Sequence, residues 1–171
     1  MEKPFEDLYT VIPERLLAGE YPGSFNSDRA HQKVRWLLQA GVDFFVDLTE
    51  EGELKPYEAI VHKEAGVNGL PAQHHRLPIR DLDIPSPGEM TCILDTIDDA
   101  LESDHTVYVH CWGGIGRTGT VIGCYLARHG LDGESALERL AWLRRETSDG
   151  GRASPETPAQ KQMIREWATG S

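Results

Sequence analysis

Cysteine is scarce in this sequence: Cys92, Cys111 and Cys124 are the only three in 171 residues. An odd, irregularly spaced set does not make a disulfide framework, so a reducing, cytoplasmic setting is expected. Positive charge is also short, with 17 Lys and Arg against 28 Asp and Glu, a formal net charge of -11. Nucleic acid and anionic membrane surfaces both repel such a chain, so neither is expected as its main partner. No apolar run reaches the length of a membrane span. The opening "MEKPFEDLYTVIPERLL" has no apolar core of signal-peptide length. Internal repeats and low-complexity tracts are missing as well. What remains, 39% hydrophobic and 26% charged residues, suits a folded domain rather than a disordered chain. One domain over residues 1–171, acting as a monomer, is the expectation.

Apolar runs alternate with amphipathic ones. "YTVIPERLLAGEYPG" predicts two short strands around a turn at Pro13, and "VDFFVDLT" (42–49), "QHHRLPI" (73–79) and "TVYVHC" (106–111) read as further strands. Helical spacing is expected over 27–41, 56–66, 87–103, 117–130, 132–147 and 158–168, with a Gly/Ser-rich loop over 147–158. Strand–helix alternation predicts an α/β fold with a central, mainly parallel sheet flanked by helices. Ligands in such folds bind where strands end and helices begin.

One such place is "HCWGGIGRTG", from His110 to Gly119. A thiol attacks only as its thiolate, and an ordinary cysteine holds its proton up to a pH of about 8.5. At a strand end facing a helix N-terminus, the Cys111 thiolate gains from the helix dipole and from free N–H groups. His110 is placed to fix the loop by hydrogen bonding. Gly113, Gly114 and Gly116, with Trp112 and Ile115 between and before them, let successive N–H groups curl into an anion nest. Arg117 can then clasp two phosphate oxygens with its planar fork. A nucleophile in the floor of a phosphate cradle implies a covalent phospho-cysteine. Lys-Ser/Thr is missing after the glycines, so this is not a nucleotide-binding loop. Neither a metal nor a cofactor is expected, because Arg117 and the N–H groups carry the charge. Attack on phosphorus also needs a carboxylic acid for the leaving oxygen, and "LPIRDLDIPSPGE" (77–89) offers Asp81 and Asp83. The Thr118 hydroxyl is placed to help the sulfur leave.

His110-Cys111, five residues, Arg117 and Thr118 together resemble the signature of the protein tyrosine phosphatase superfamily. The resemblance runs from "VIPERLLAGEYPGS" to the last helix, and "AGVDFFVDLTEEGEL" looks like small bacterial members of the compact, dual-specificity-like branch. It implies Cys111 as nucleophile, Arg117 as phosphate-binding arginine and Thr118 as the hydroxyl that assists thiophosphate hydrolysis. The family's acid loop matches "PIRDLDIP", without its usual tryptophan and adjacent proline. Asp81 aligns best because Pro85 follows four residues on, with Asp83 as the rival. Gln160 in "SPETPAQ" matches a glutamine that positions the attacking water in some members. The implied activity is hydrolysis of phosphotyrosine, and in the wider branch phosphoserine and phosphothreonine. The substrate is then a phosphorylated protein or a small phosphomonoester. A phosphoinositide or inositol phosphate phosphatase would use the same chemistry, but "WGGIG" carries no charge to hold extra phosphates. A pseudophosphatase would be expected to lack the cysteine, the arginine or the acid, and all three are here.

Other conspicuous residues have plainer readings. Cys124 and Cys92 read as buried core, as do Trp36, Trp142 and Trp167 at helical spacing. His74 and His75, adjacent on a strand, point to opposite faces and make no zinc pattern. Trp112 either lines the pocket rim or packs beneath the loop.

Overall fold

Strands β1 (Leu8–Ile12), β2 (Leu16–Gly19), β3 (Phe44–Asp47), β4 (Gln73–Arg76) and β5 (Val107–His110) pair in the order β1-β2-β5-β3-β4 in the computed structural model, which describes residues 3–171. Met1 and Glu2, with which the opening segment begins, lie outside the described residues. β1 runs antiparallel to β2, and the other three pairings are parallel. Six helices flank the sheet: α1 (Ser27–Gln39), α2 (Glu58–Val67), α3 (Pro87–Glu102), α4 (Arg117–Arg128), α5 (Gly133–Arg144) and α6 (Pro158–Glu166). The expected mainly parallel sheet with helices on its faces is therefore the fold.

The inner strands β2, β5 and β3 are buried on both faces because both faces are covered, whereas the edge strand β4 is polar and partly exposed. Side chains alternate along β5: Val107 and Val109 join one core with α3 to α6, while Tyr108 joins the other with α1 and α2. Phe44 and Val46 divide from Phe45 in the same way. Helix starts are locally encoded. Ser86 caps α3 and Glu89 reaches back to complete the capping box around Pro87. Thr157 and Gln160 do the same for α6.

β5 is the middle strand, so its carboxyl end opens at the centre of the sheet's edge. From there the chain enters α4, which is buried along nearly its whole length.

Two expected core residues lie elsewhere. Cys92 is exposed. The buried stripe of α3 runs through Met90, Ile93, Leu94 and Ile97, and position 92 falls off it. Trp142 is half exposed, two positions after buried Leu140 on α5, and stacks against the guanidinium groups of Arg139 and Arg145. Trp36 and Trp167 are only partly buried, Trp36 edge-on to Phe5 at 5.8 Å and Trp167 against the larger core. Cys124 is fully buried, and that burial pushes its thiol up to about 12.

Candidate active site

Residues 111–116 join β5 to α4, and their path is dictated by glycine. Gly114 has a φ of 73°, and a Cβ there would sit 2.4 Å from the carbonyl carbon of Gly19. Only glycine lets the loop seat against the end of β2. No backbone acceptor takes the N–H groups of residues 112–116 among the described residues. Together with the first turn of α4, they leave a ring of free donors, as helix N-termini do. Cys111 is 3% exposed at the bottom of a cavity of about 560 Å3. Trp112 lines the mouth of that cavity and is exposed, so of its two alternatives the rim is the observed one.

Arg117, the first residue of α4, is buried. Its Nη1 and Nη2 donate to Glu53 Oε2 and Oε1 at 2.8 and 2.6 Å, and Nη1 also donates to the Ile79 carbonyl at 3.1 Å. Asp81 Oδ1 lies 3.2 Å from Nη2. Burial works against the guanidinium charge, yet the bonds to Glu53 outweigh it and raise the pKa. Those same bonds hold the Glu53 carboxyl below its ordinary range. The Arg117 Nε and the Thr118 hydroxyl are buried with no hydrogen-bond partner among the described residues. Unsatisfied buried polar atoms are rare in folded proteins, and two at one loop mark a place built for something else.

Behind the loop, His110 is fully buried. Its Nδ1 is 3.1 Å from the Cys111 carbonyl and its Nε2 is 2.6 Å from the Tyr57 hydroxyl. The carbonyl can only accept, so Nδ1 carries the proton and Tyr57 donates to Nε2. Desolvation pushes the imidazole pKa down to about 4, so the ring is neutral. Asp47 lies beyond, 3.9 Å from Nε2. Burial would raise its pKa, but bonds from His74 and Thr49 prevail and hold the carboxyl well below the usual range. His75 turns the other way and stacks on Phe44 at 4.4 Å.

The loop after β4 separates the two candidate acids. Asp81 lines the cavity and reaches Arg117. Asp83 folds back, its Oδ1 accepting from the Ile84 N–H at 2.9 Å. Gln160 is buried, its Oε1 accepting from the N–H groups of Glu156 and Thr157 and its Nε2 donating to the Asp83 carbonyl at 3.2 Å. It thus ties the start of α6 to the Asp81 loop. Ser154 Oγ donates to the Ile115 carbonyl at 2.7 Å, and Glu156 packs against Gly116.

Glu53, Tyr57 and Asp47 escape a reading of the sequence alone. Asp47 and Glu53 end or follow a parallel strand, the position where sites form in such sheets. That signal is blurred by Glu50 and Glu51 beside Glu53. Among the described residues, no cluster of His, Cys, Asp or Glu is arranged to hold a metal ion, and no helix is long and apolar enough to cross a membrane.

The family model described as Swiss Army Knife protein, DSP-PTPase phosphatase domain, matches residues 8–170. The chain is 31% identical over 145 residues to dual specificity protein phosphatase CDC14B of Mus musculus, covering 81% of this chain and 27% of that protein. It is 24% identical over 161 residues to phosphatidylinositol 3,4,5-trisphosphate 3-phosphatase and protein-tyrosine-phosphatase PTEN1 of Arabidopsis thaliana, covering 93% of this chain and 37% of that one. The chain therefore spans 27% of the length of the first relative and 37% of the second. Among solved structures, Tk-PTP in its active form superposes with a TM-score of 0.69 at 25% identity, over 90% of each chain.

Proposed function

The chain belongs to the dual-specificity-type protein tyrosine phosphatase family, and from that premise we propose that it is a protein phosphatase hydrolysing phosphotyrosine, and also phosphoserine and phosphothreonine, through a phospho-cysteine intermediate. One observation carries the reading: Cys111 lies at the floor of a loop of free N–H groups, beside a buried arginine whose Nε has no partner among the described residues. Equatorial charge on a transferring phosphoryl group meets those donors in place, without reorganisation.

In the first step the Cys111 sulfur forms a bond to phosphorus while the ester P–O bond breaks. Asp81, released from Arg117 as phosphate takes the guanidinium, gives its proton to the leaving oxygen. In the second step Asp81 takes a proton from water, water attacks phosphorus and the S–P bond breaks. Thr118 supplies a hydrogen bond to the departing sulfur, and Gln160, with one amide hydrogen uncommitted, steers the water. His110 and Tyr57 hold the loop from behind and stay out of the bond changes. Residues 1–171 form one phosphatase domain in this account, and the three unpaired cysteines suit a cytoplasmic setting.

Turnover of an aryl phosphate in EDTA by the wild type and by Cys111→Ser tests the reading. Activity in the first and its loss in the second are expected. An inactive wild type, or a serine variant that matches it, overturns it.

A further inference from the structure

Asp47 is fully buried at the carboxyl end of β3, between Val46 and Leu48, which are enclosed as completely. A carboxylate is almost never taken into a core unless its oxygens are engaged. Here both are. Oδ1 accepts from the Thr49 N–H at 2.9 Å and from the Thr49 hydroxyl at 2.6 Å. Oδ2 accepts from His74 Nε2 at 3.1 Å and from Arg76 Nη2 at 3.3 Å. Those donors fill what an ionised carboxylate can accept. In register, Asp47 stands between His110 of β5 and Arg76 of β4, beside the strand end from which the phosphate loop departs.

The two oxygens hold two different segments, and both segments end on the same guanidinium. From Oδ1, Thr49 turns the chain out of β3 towards Glu53. The Glu53 carboxylate takes the Glu50 N–H at 2.9 Å and both terminal nitrogens of Arg117. From Oδ2, His74 and Arg76 fix β4, and the chain beyond it is stitched to the same corner. The Leu77 N–H donates to the Asp47 carbonyl at 2.9 Å, and the Ile79 N–H to the Leu48 carbonyl at 3.0 Å. The Ile79 carbonyl then accepts from Arg117 Nη1 at 3.1 Å. Glu53 and Ile79 thus take every hydrogen bond that the Arg117 side chain makes among the described residues.

Stability alone does not ask for this wiring. A buried charge network is often no more stabilising than well-packed apolar residues in its place. What this one adds is a fixed direction for two loops.

We propose that Asp47 is a positioning residue for Arg117. Through Thr49 and Glu53 on one side, and Arg76 and Ile79 on the other, it sets the plane in which the guanidinium meets phosphate. The inference rests on the phosphatase reading above and adds to it a residue that does not line the cavity. A reacting geometry is kept only when the residues behind it are themselves locked by packing and hydrogen bonds. A displacement of about 1 Å can cost a hundredfold in rate. His110 Nε2 lies 3.9 Å from Asp47 Oδ1, too far for a hydrogen bond, so the route to the site runs through the two loops.

The test is the inhibition constant of inorganic phosphate, with kcat and KM on an aryl phosphate. The proteins are the wild type, Asp47→Asn, Thr49→Val, Thr49→Ser, Glu53→Gln and the double variant Thr49→Val/Glu53→Gln. Asp47→Asn keeps an acceptor for Thr49 and turns an amide NH2 towards His74 and Arg76, which releases the β4 segment. Thr49→Val keeps the side-chain shape and removes the hydroxyl that ties the β3 segment. Phosphate inhibition should weaken about tenfold in Asp47→Asn and about threefold in Thr49→Val, the scale of one or two hydrogen bonds, and Thr49→Ser should restore it. The double variant should inhibit no more weakly than Glu53→Gln alone, because both changes act on one chain of contacts. An inhibition constant does not depend on how much of the sample is folded, so a mere loss of folded protein cannot imitate these shifts. A wild-type constant in either Asp47→Asn or Thr49→Val overturns the positioning role and leaves the phosphatase standing. So do losses that multiply in the double variant. Should Asp47→Asn fail to fold, the Thr49 series decides. A wild type inactive on the aryl phosphate overturns the phosphatase reading and the positioning role with it.

Discussion

Arg117 gives both terminal nitrogens to Glu53, at 2.8 and 2.6 Å, and keeps its buried Nε free. A two-pronged carboxylate fixes the plane of the guanidinium, and the remaining edge is where the proposed reaction puts a phosphate oxygen. Glu53→Gln keeps the shape and removes the charge. It should lower kcat/KM on an aryl phosphate about tenfold and weaken inhibition by inorganic phosphate, since a small misplacement of such a group is costly. A rise in both quantities would instead make Glu53 a mere competitor for Arg117.

Asp81 and Asp83 are told apart by where their carboxylates go. Asp81 faces Arg117, whereas Asp83 closes on its own neighbour Ile84. Asp81→Asn should lower kcat on aryl phosphates with poor leaving groups by about a hundredfold or more and flatten the basic limb of the pH–rate profile. Asp83→Asn should leave that limb in place. If Asp83→Asn removes the limb, the acid is misassigned.

His110 ties the site to acid stability. Its folded pKa lies near 4, below the ordinary 6.5, because burial disfavours the charged ring. Between those values the unfolded chain binds a proton that the folded one refuses. Stability therefore falls as pH drops from 6.5 towards 4, by about 2 kcal/mol between pH 7 and pH 5 through this group. Denaturant unfolding of the wild type and His110→Gln at the two pH values checks this. The variant should lose less stability on acidification, and equal losses would contradict a buried neutral imidazole.

Gly114→Ala puts a Cβ against the Gly19 carbonyl carbon from a backbone at φ 73°. Either the loop lifts off β2 or the strand end moves. Loss of most activity and about 2 kcal/mol or more of stability are expected from unfolding and rate measurements together. Full activity would mean that the loop does not need this seat.

Much of this was legible in the chain because its signals are local. "SPGE" spells the capping box of α3, and the apolar run ending in His110 spells a buried central strand. Cys111, Arg117 and the glycines sit within one stretch, so their joint chemistry could be read without knowing the fold. Choosing Asp81 over Asp83 needs the turn at Leu82, whose left-handed backbone no rule assigns to a leucine. Finding Glu53 needs the pairing of β3 beside β5, which brings a distant loop to Arg117. Cys92 and Trp142 were misplaced because hydrophobicity alone does not give the phase of a helix. Each lies on the far side of the helix from the centre of its buried stripe.

The most direct measurement is an acid quench of wild-type protein within its first turnovers of an aryl phosphate, followed by mass analysis of the peptide that contains residue 111. The account predicts one phosphoryl group on Cys111 in the wild type, more of it in Asp81→Asn with an activated aryl ester, and none in Cys111→Ser. Steady turnover with no phosphoryl group ever found on Cys111, or with the group on another residue, would contradict it.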